Sequence, residues 1–175
     1  RKDAEVIDKF LVEHGLTKVD LIMAGFATLV ENKDGSTGGH IKRTTMYVKL
    51  LAEELKQNDC PRVVLTDLAR SDWAENVEDA FRYGKLVLAA PTYNGGIYPV
   101  MREFIDKLTE RGFCKRTVAF MENGTWAPTA ARQMKEKFAN SKEISFAETV
   151  VTIKSGIKKE TVETIQKLAK ELCEK

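Results

Sequence analysis

Short segments that are mostly apolar alternate with longer segments that carry one apolar face. The mostly apolar segments lie at residues 18–26, 62–66, 85–90 and 116–121, and a last strand region lies at residues 144–153. Between them, apolar residues recur at every third or fourth position, which predicts amphipathic helices over residues 4–14, 41–57, 74–83, 99–111, 128–139 and 158–172. The pattern therefore predicts strands and helices in alternation.

Strands of this kind are typical of a parallel sheet, because a sheet with one wet face would carry a polar residue at every second position. Helices that connect parallel strands cover both faces of the sheet. We therefore predict a doubly wound α/β domain over residues 17–175, preceded by a helix or linker at residues 1–16. Ligands of such folds bind beyond the carboxyl ends of the strands, so the loops after strands one, three and four are the places to search.

The composition and charge of the chain indicate the class of protein and exclude some kinds of partner. With 175 residues, 43% of them apolar and 31% charged, the chain has the balance of one soluble globular domain. It has neither an apolar run of about 20 residues nor the core of a signal peptide, so we expect a cytoplasmic protein without membrane contact. A net charge of +2 without a basic block argues against nucleic acid as a partner. Three widely separated cysteines and two histidines indicate reduced thiols and no metal site.

The loop after the third strand has the composition of a ligand-binding turn. It begins with Pro91, Thr92, Tyr93, Asn94, Gly95 and Gly96 and continues through Tyr98 to Pro99. Adjacent glycines allow conformations closed to other residues and let the main chain approach a flat ligand, and the tyrosine rings offer faces for stacking. An Asn-Gly pair is equally typical of an ordinary tight turn.

The loop after the fourth strand contains Asn123, Gly124, Thr125, Trp126 and Ala127. A tryptophan beside a glycine in a short loop is either a plug for the end of the sheet or a wall for an aromatic ligand. Taken alone, this loop favours the plug. Two loops with aromatic residues and glycines at neighbouring strand ends, however, would form the two sides of one slot.

The segment before the first crossover helix is rich in glycine and hydroxyl residues. Ser36, Thr37, Gly38, Gly39 and His40 would present backbone N–H groups at a helix N-terminus, an arrangement that suits a phosphate dianion. Runs of this composition are as common in plain flexible loops. Residues 25–28 are the next candidate for a phosphate site, because they directly follow the first apolar strand.

Three segments resemble the flavodoxin domain of flavo-diiron proteins, or A-type flavoproteins. They span residues 66–73, 86–99 and 122–130, and the Pro-Thr-Tyr-Asn-Gly-Gly sequence within the second is the most specific part. The resemblance extends over residues 41–175, and the opening helix resembles the segment that precedes the flavodoxin domain in that family. It implies a flavodoxin-like five-stranded parallel sheet in the order 2-1-3-4-5, with helices on both faces.

The resemblance also implies FMN as the cofactor. The isoalloxazine ring would lie between residues 92–96 and residues 124–126, and the phosphate in the loop after strand one. Two alignments with the family's phosphate loop are possible. Alignment backward from the first crossover helix places residues 39–44 over that loop. Residues 35–40 are chemically better suited to bind a phosphate, and we expect the phosphate to bind there. In that family the flavin relays electrons from a donor such as rubredoxin to a di-iron domain, which these 175 residues do not contain.

We therefore expect an electron carrier that supplies no acid, base or nucleophile of its own. One alternative is an NAD(P)H-dependent FMN or quinone reductase on the same fold, which would need a path for the nicotinamide to the flavin. Another is a flavin-free module that uses the scaffold for protein contacts. Neither the oligomeric state nor the identity of the partners follows from the sequence, so a rubredoxin-like donor and a di-iron acceptor rest on the resemblance alone.

Overall fold

The structure is a computed structural model that describes residues 21–26, 39–60, 62–124, 127–154 and 158–174, with side chains from residue 47 onward. The predicted helix at residues 4–14, and with it the linker at residues 1–16, lies outside the described residues. The described elements are β1 (Leu21–Phe26), α1 (Gly39–Gln57), β2 (Arg62–Asp67), α2 (Trp73–Arg82), β3 (Lys85–Tyr93), β4 (Gly96–Ile97), α3 (Pro99–Glu110), β5 (Arg116–Asn123), α4 (Ala130–Lys137), β6 (Ile144–Phe146), β7 (Val151–Ile153) and α5 (Lys159–Cys173).

The strands form one sheet in the order β2-β1-β3-β5-β6, and all four pairings along this path are parallel. Strand β7 also pairs in parallel with β5, beyond the end of β6. The predicted order 2-1-3-4-5 is confirmed, with β6 and β7 as two parts of the fifth strand. The short strand β4 folds back antiparallel onto β3, which makes the sheet mixed.

The fifth strand is interrupted because two residues are inserted between its halves. Thr117 pairs with Ser145, whereas Glu122 pairs with Thr152, so the register changes between β6 and β7. The intervening loop is held by Glu171 of α5, whose carboxylate accepts the N–H groups of Glu148 and Thr149. Burial raises the pKa of Glu171, but these hydrogen bonds outweigh it, and the net pKa is lowered.

Helices pack on both faces of the sheet, as predicted for fully apolar strands. Along β3, Leu86, Leu88 and Ala90 join the core beneath α2, α3 and α4, while Val87 and Ala89 join the core beneath α1 and α5. Strand β5 alternates in the same way. Because the two cores use alternate positions of the same strands, residues 86–90 of β3 and 118–121 of β5 are all apolar.

The predicted bounds of the described helices agree with the observed ones to within one or two residues, but two strands are longer than predicted by two or three residues. Strand β3 continues past Ala90 to Tyr93, and β5 continues past Met121 to Asn123. The extra length comes from main-chain pairing, including Pro91 opposite Asn123, which apolar patterning does not reveal. Among the described residues, no helix combines the length and the apolarity required to cross a bilayer.

Candidate functional site

The loop predicted after strand three is a β-hairpin at the carboxyl edge of the sheet. Tyr93 of β3 pairs with Gly96 of β4, and Asn94 and Gly95 form the two-residue connection. Both connecting residues have positive φ, 48° and 71°, which is what the favoured two-residue hairpin turn requires of its central positions. The Asn-Gly turn interpretation is therefore confirmed, and Tyr93, Asn94 and Gly95 are exposed.

The two glycines of this hairpin differ in their surroundings, which matches the two roles predicted for the pair, backbone freedom and close approach of neighbouring atoms. Gly95 has positive φ and nothing within 4 Å of the position that a Cβ would occupy. Gly96 lies in β4, where a Cβ would come within 3.3 Å of Nη2 of Arg102. Gly95 is therefore favoured by its conformation, whereas Gly96 lies close to the guanidinium of Arg102.

Helix α4 holds the tip of the hairpin in place. The carbonyl oxygen of Gly95 accepts hydrogen bonds from Oγ1 of Thr129, at 3.1 Å, and from Nε2 of Gln133, at 2.7 Å. Neither Thr129 nor Gln133 was predicted as a site residue, because each is 34 or more positions away from the hairpin in sequence. Two donors on one carbonyl fix the orientation of the peptide group between Gly95 and Gly96.

Thr92 fixes the start of the same helix. Its hydroxyl oxygen accepts the backbone N–H groups of Thr129, at 3.0 Å, and Ala130, at 3.3 Å. Thr129 occupies the N-cap position but makes no side-chain capping bond, since its hydroxyl donates to Gly95 instead. Thr92 of β3 thus provides a hydrogen-bond acceptor for backbone N–H groups at the start of α4, which have no partner within the helix.

The loop after β5 packs directly against this assembly through Gly124. A Cβ at Gly124 would lie 2.9 Å from Cα of Pro128 and 3.2 Å from Oγ1 of Thr92. Its N–H donates to the carbonyl of Ile153 at 3.1 Å. The predicted loops after strands three and four are therefore joined into one unit, in which Ala127 is exposed.

A buried carboxylate completes the support of this unit. The side chain of Glu122 is 6% exposed; Oε2 accepts the N–H of Ala131 and Oε1 accepts the hydroxyl proton of Thr152, both at 2.9 Å. A carboxylate at a helix N-terminus is favoured by the partial positive charge there. Glu122 begins the predicted loop but was not predicted as a functional residue, and its contacts show a supporting role. The adjacent Asn123 is also buried.

Tyr93 presents the largest exposed aromatic surface at this edge. Its side chain is 51% exposed, and its ring meets that of Tyr98 edge to face, with centroids 5.8 Å apart. Burial raises the pKa of Tyr98, and the nearby Tyr93 and Asp67 raise it further. Tyr93, Asn94 and Gly95 therefore form a continuous exposed surface with a rigid base.

Of the predicted phosphate segment, Gly39 and His40 form the start of α1, and Ser36, Thr37 and Gly38 lie outside the described residues. The first turn of α1 contains no acidic residue. Thr125 and Trp126 also lie outside the described residues, so both the phosphate cradle and the Trp126 wall stay predictions.

Comparisons with known proteins agree with this architecture. A sequence profile described as a flavodoxin domain matches residues 36–171, whereas no curated protein sequence matches the chain. Among solved structures, rubredoxin oxygen:oxidoreductase from Desulfovibrio gigas superposes with a TM-score of 0.74 at 14% identity, over 88% of this chain and 35% of that one. The Flv1 flavodiiron core from Synechocystis superposes with a TM-score of 0.74 at 12% identity, over 95% of this chain and 38% of that one.

A full-length match is also present. Oxidised flavodoxin 1 from Bacillus cereus superposes with a TM-score of 0.68 at 16% identity, over 87% of this chain and 96% of that one. The chain thus spans a little over a third of each flavodiiron structure but nearly all of a flavodoxin. Strand order, helices on both faces and the sequence profile lead to the same conclusion: the chain belongs to the flavodoxin domain family.

Proposed function

We propose that this domain binds FMN at the carboxyl edge of its sheet and transfers electrons through it. The observation that carries the proposal is the exposed hairpin surface of Tyr93, Asn94 and Gly95, whose carbonyl at Gly95 is held by Thr129 and Gln133. A ligand that meets a pre-ordered surface loses less binding free energy to ordering.

The residues present fit a flat aromatic ring. Open space lies beside Gly95, and half of the Tyr93 side chain is available for contact. Aromatic rings interact favourably when they stack with an offset or meet edge to face. In the proposal, residues 92–96 line one side of the isoalloxazine ring, and residues 123–127, with Trp126, line the other.

The phosphate of FMN is proposed to bind in residues 36–40, at the N-terminus of α1. This 19-residue helix has no acidic residue in its first turn, and Lys42 and Arg43 follow immediately. Unpaired N–H groups and the helix dipole favour an anion at such a position. Bound FMN would supply reversible electron transfer, while the chain's own residues hold and orient it.

The electron partners belong to the proposal as well. Structural neighbours that are flavodiiron proteins support a rubredoxin-like donor and a di-iron acceptor for this domain. In the proposal, electrons enter and leave at the exposed hairpin edge, where a partner protein can approach the flavin. The slight positive net charge of +2 would favour partners with acidic docking surfaces.

The test is a titration of the purified protein with FMN and, as the matched control, with riboflavin, which lacks the phosphate. We expect yellow protein, one FMN per chain, and affinity for riboflavin at least tenfold weaker, because the phosphate contacts are lost. Absence of flavin binding would contradict the proposal. Equal affinity for the two flavins would contradict the proposed phosphate site at residues 36–40 but not the proposed ring site.

A stopped-flow experiment separates the carrier from a reductase. The FMN-loaded protein is mixed with NADPH, with NADH, or with a reduced rubredoxin. We expect rapid flavin bleaching with rubredoxin only, since the proposed edge serves protein partners. Rapid bleaching by NADH or NADPH would contradict the electron-carrier proposal and support the reductase alternative.

A further inference from the structure

Two cysteines that are distant in sequence meet at the amino end of the sheet, opposite the proposed flavin edge. Cys60 follows α1 and precedes β2, and Cys173 is the last residue of α5. Helices α1 and α5 lie side by side on one face, and both cysteines pack against the same core. A separation of 113 positions concealed this proximity in the sequence.

One carbonyl oxygen positions both residues. Asp59 has a positive φ of 59°, and the N–H of Cys60 donates to the carbonyl of Leu55 at 3.0 Å, a pattern typical of a helix end. The thiol of Cys173 donates to the same Leu55 oxygen at 3.9 Å. The two cysteines are therefore held next to each other by the end of α1.

A buried cation lies beside the pair. Lys85, which begins β3, is 7% exposed, and its Nζ donates to the carbonyls of Leu172 and Glu174 at the end of α5. Its positive charge is close enough to lower the pKa of both thiols, although burial dominates and raises the pKa of Cys60 to about 11. The pKa of each thiol is also affected by the other thiol, and the pKa of Cys173 is affected by the charge of Asp59.

We propose that Cys60 and Cys173 form an oxidisable pair, which a small-molecule disulfide converts into an intramolecular disulfide that ties α5 to the end of α1. One cysteine thiolate attacks a sulfur of the small-molecule disulfide, whose S–S bond breaks and releases a thiolate. The second cysteine then attacks the resulting mixed disulfide, forms the protein S–S bond and releases the second small-molecule thiolate. Two electrons pass from the cysteines to the oxidant, and the two thiol protons end on the released thiols.

The burial of the pair predicts its kinetic behaviour. The attacking species is the thiolate, so a raised pKa makes oxidation slow near neutral pH. Between pH 7 and pH 10, below the Cys60 pKa of about 11, the thiolate fraction increases about tenfold per pH unit. The site therefore behaves as a slowly formed crosslink, in contrast to the fast exchange of a catalytic dithiol.

The experiment uses the full chain, oxidised glutathione and three variants, Cys60→Ala, Cys173→Ala and Cys114→Ser. After incubation at pH 9.5, peptide mapping without reductant should yield a Cys60–Cys173 peptide from the wild type and from Cys114→Ser. The first two variants should yield none. Because the closed loop exceeds 100 residues, the crosslinked proteins should melt roughly 10 °C higher than their reduced forms.

Two results would overturn the inference. One is the absence of the Cys60–Cys173 peptide at pH 9.5 from both proteins that retain the pair, with glutathione adducts alone on Cys114 or on single cysteines. The other is a crosslink that forms without raising the melting temperature, which would show that it links a distorted conformation. Cys114→Ser isolates the pair from the third thiol, since Cys114 lies after α3 and leaves both cysteines in place.

Discussion

Replacement of Gln133 by alanine tests whether a rigid hairpin is the basis of cofactor binding. The change removes the 2.7 Å hydrogen bond to the Gly95 carbonyl and leaves the 3.1 Å bond from Thr129. One neutral hydrogen bond contributes about 1 kcal/mol to stability, and less where water can replace the donor. Since Gly95 is exposed, we expect the free energy of unfolding to fall by about 0.5–1 kcal/mol.

The same change should weaken FMN binding. If FMN requires the hairpin in its anchored conformation, the free energy lost from the anchor is also lost from binding. A loss of 0.5–1 kcal/mol corresponds to roughly a two- to fivefold weaker dissociation constant. A double variant, Gln133→Ala with Thr129→Val, removes both donors and should weaken FMN binding by about tenfold.

The assay combines urea unfolding, followed by circular dichroism, with fluorescence titration of FMN. Arg132→Ala is the matched control, because Arg132 is on the same helix but is exposed and bonds only to Glu136 among the contacts the structure describes. The control should change stability by less than about 0.5 kcal/mol and leave FMN affinity unchanged. If Gln133→Ala and the double variant lose stability but bind FMN as tightly as the wild type, the hairpin does not contact the flavin. If neither loses stability, the anchor is not a stabilising contact.

Three further changes test the rest of the site and its frame. Gly124→Ala places a Cβ 2.9 Å from the backbone of Pro128 and should cost about 1–3 kcal/mol in urea unfolding; an unchanged midpoint would contradict the tight packing there. The lowered pKa of Glu171 adds stability that is present above its unfolded pKa of 4.5 and is lost as pH falls through the lower folded pKa. Glu171→Gln should therefore cost more stability at pH 7 than at pH 3, and a pH-independent difference would refute the contact with Thr149. Trp126→Ala should weaken FMN binding by about 1 kcal/mol or more if the indole stacks on the ring, and unchanged affinity in the fluorescence titration would favour the plug.

Local pattern was sufficient to predict the fold. The middle parts of the central strands are apolar at every position because each buries side chains in two cores, and this property is visible in residues 86–90 and 118–121 without any tertiary information. The starts of two helices have local signals too, since Pro99 occupies the first helical position of α3 and Asp72 the N-cap of α2, where its side chain accepts the N–H of Glu75 at 3.0 Å. The Asn94-Gly95 turn follows from the same local chemistry.

The supporting contacts of the site could not be predicted from the sequence. Thr92 looked like a residue that lines a ligand, yet its hydroxyl oxygen accepts the first N–H groups of α4, while Gln133 from that helix fixes Gly95. Such hydrogen bonds join groups more than 30 residues apart, and neither composition nor periodicity encodes which pairs will meet.

The thiol pair illustrates the same limit. Cys60 and Cys173 are 113 positions apart in the sequence, and only the packing of α5 beside α1 brings Cys173 to the Leu55 carbonyl that Cys60 meets at the end of its own helix. The sequence by itself determined which segments form strands, helices and turns, because those depend on neighbouring residues and on the burial of apolar faces. The tertiary structure decided which polar groups pair, since that depends on distances set by the whole fold.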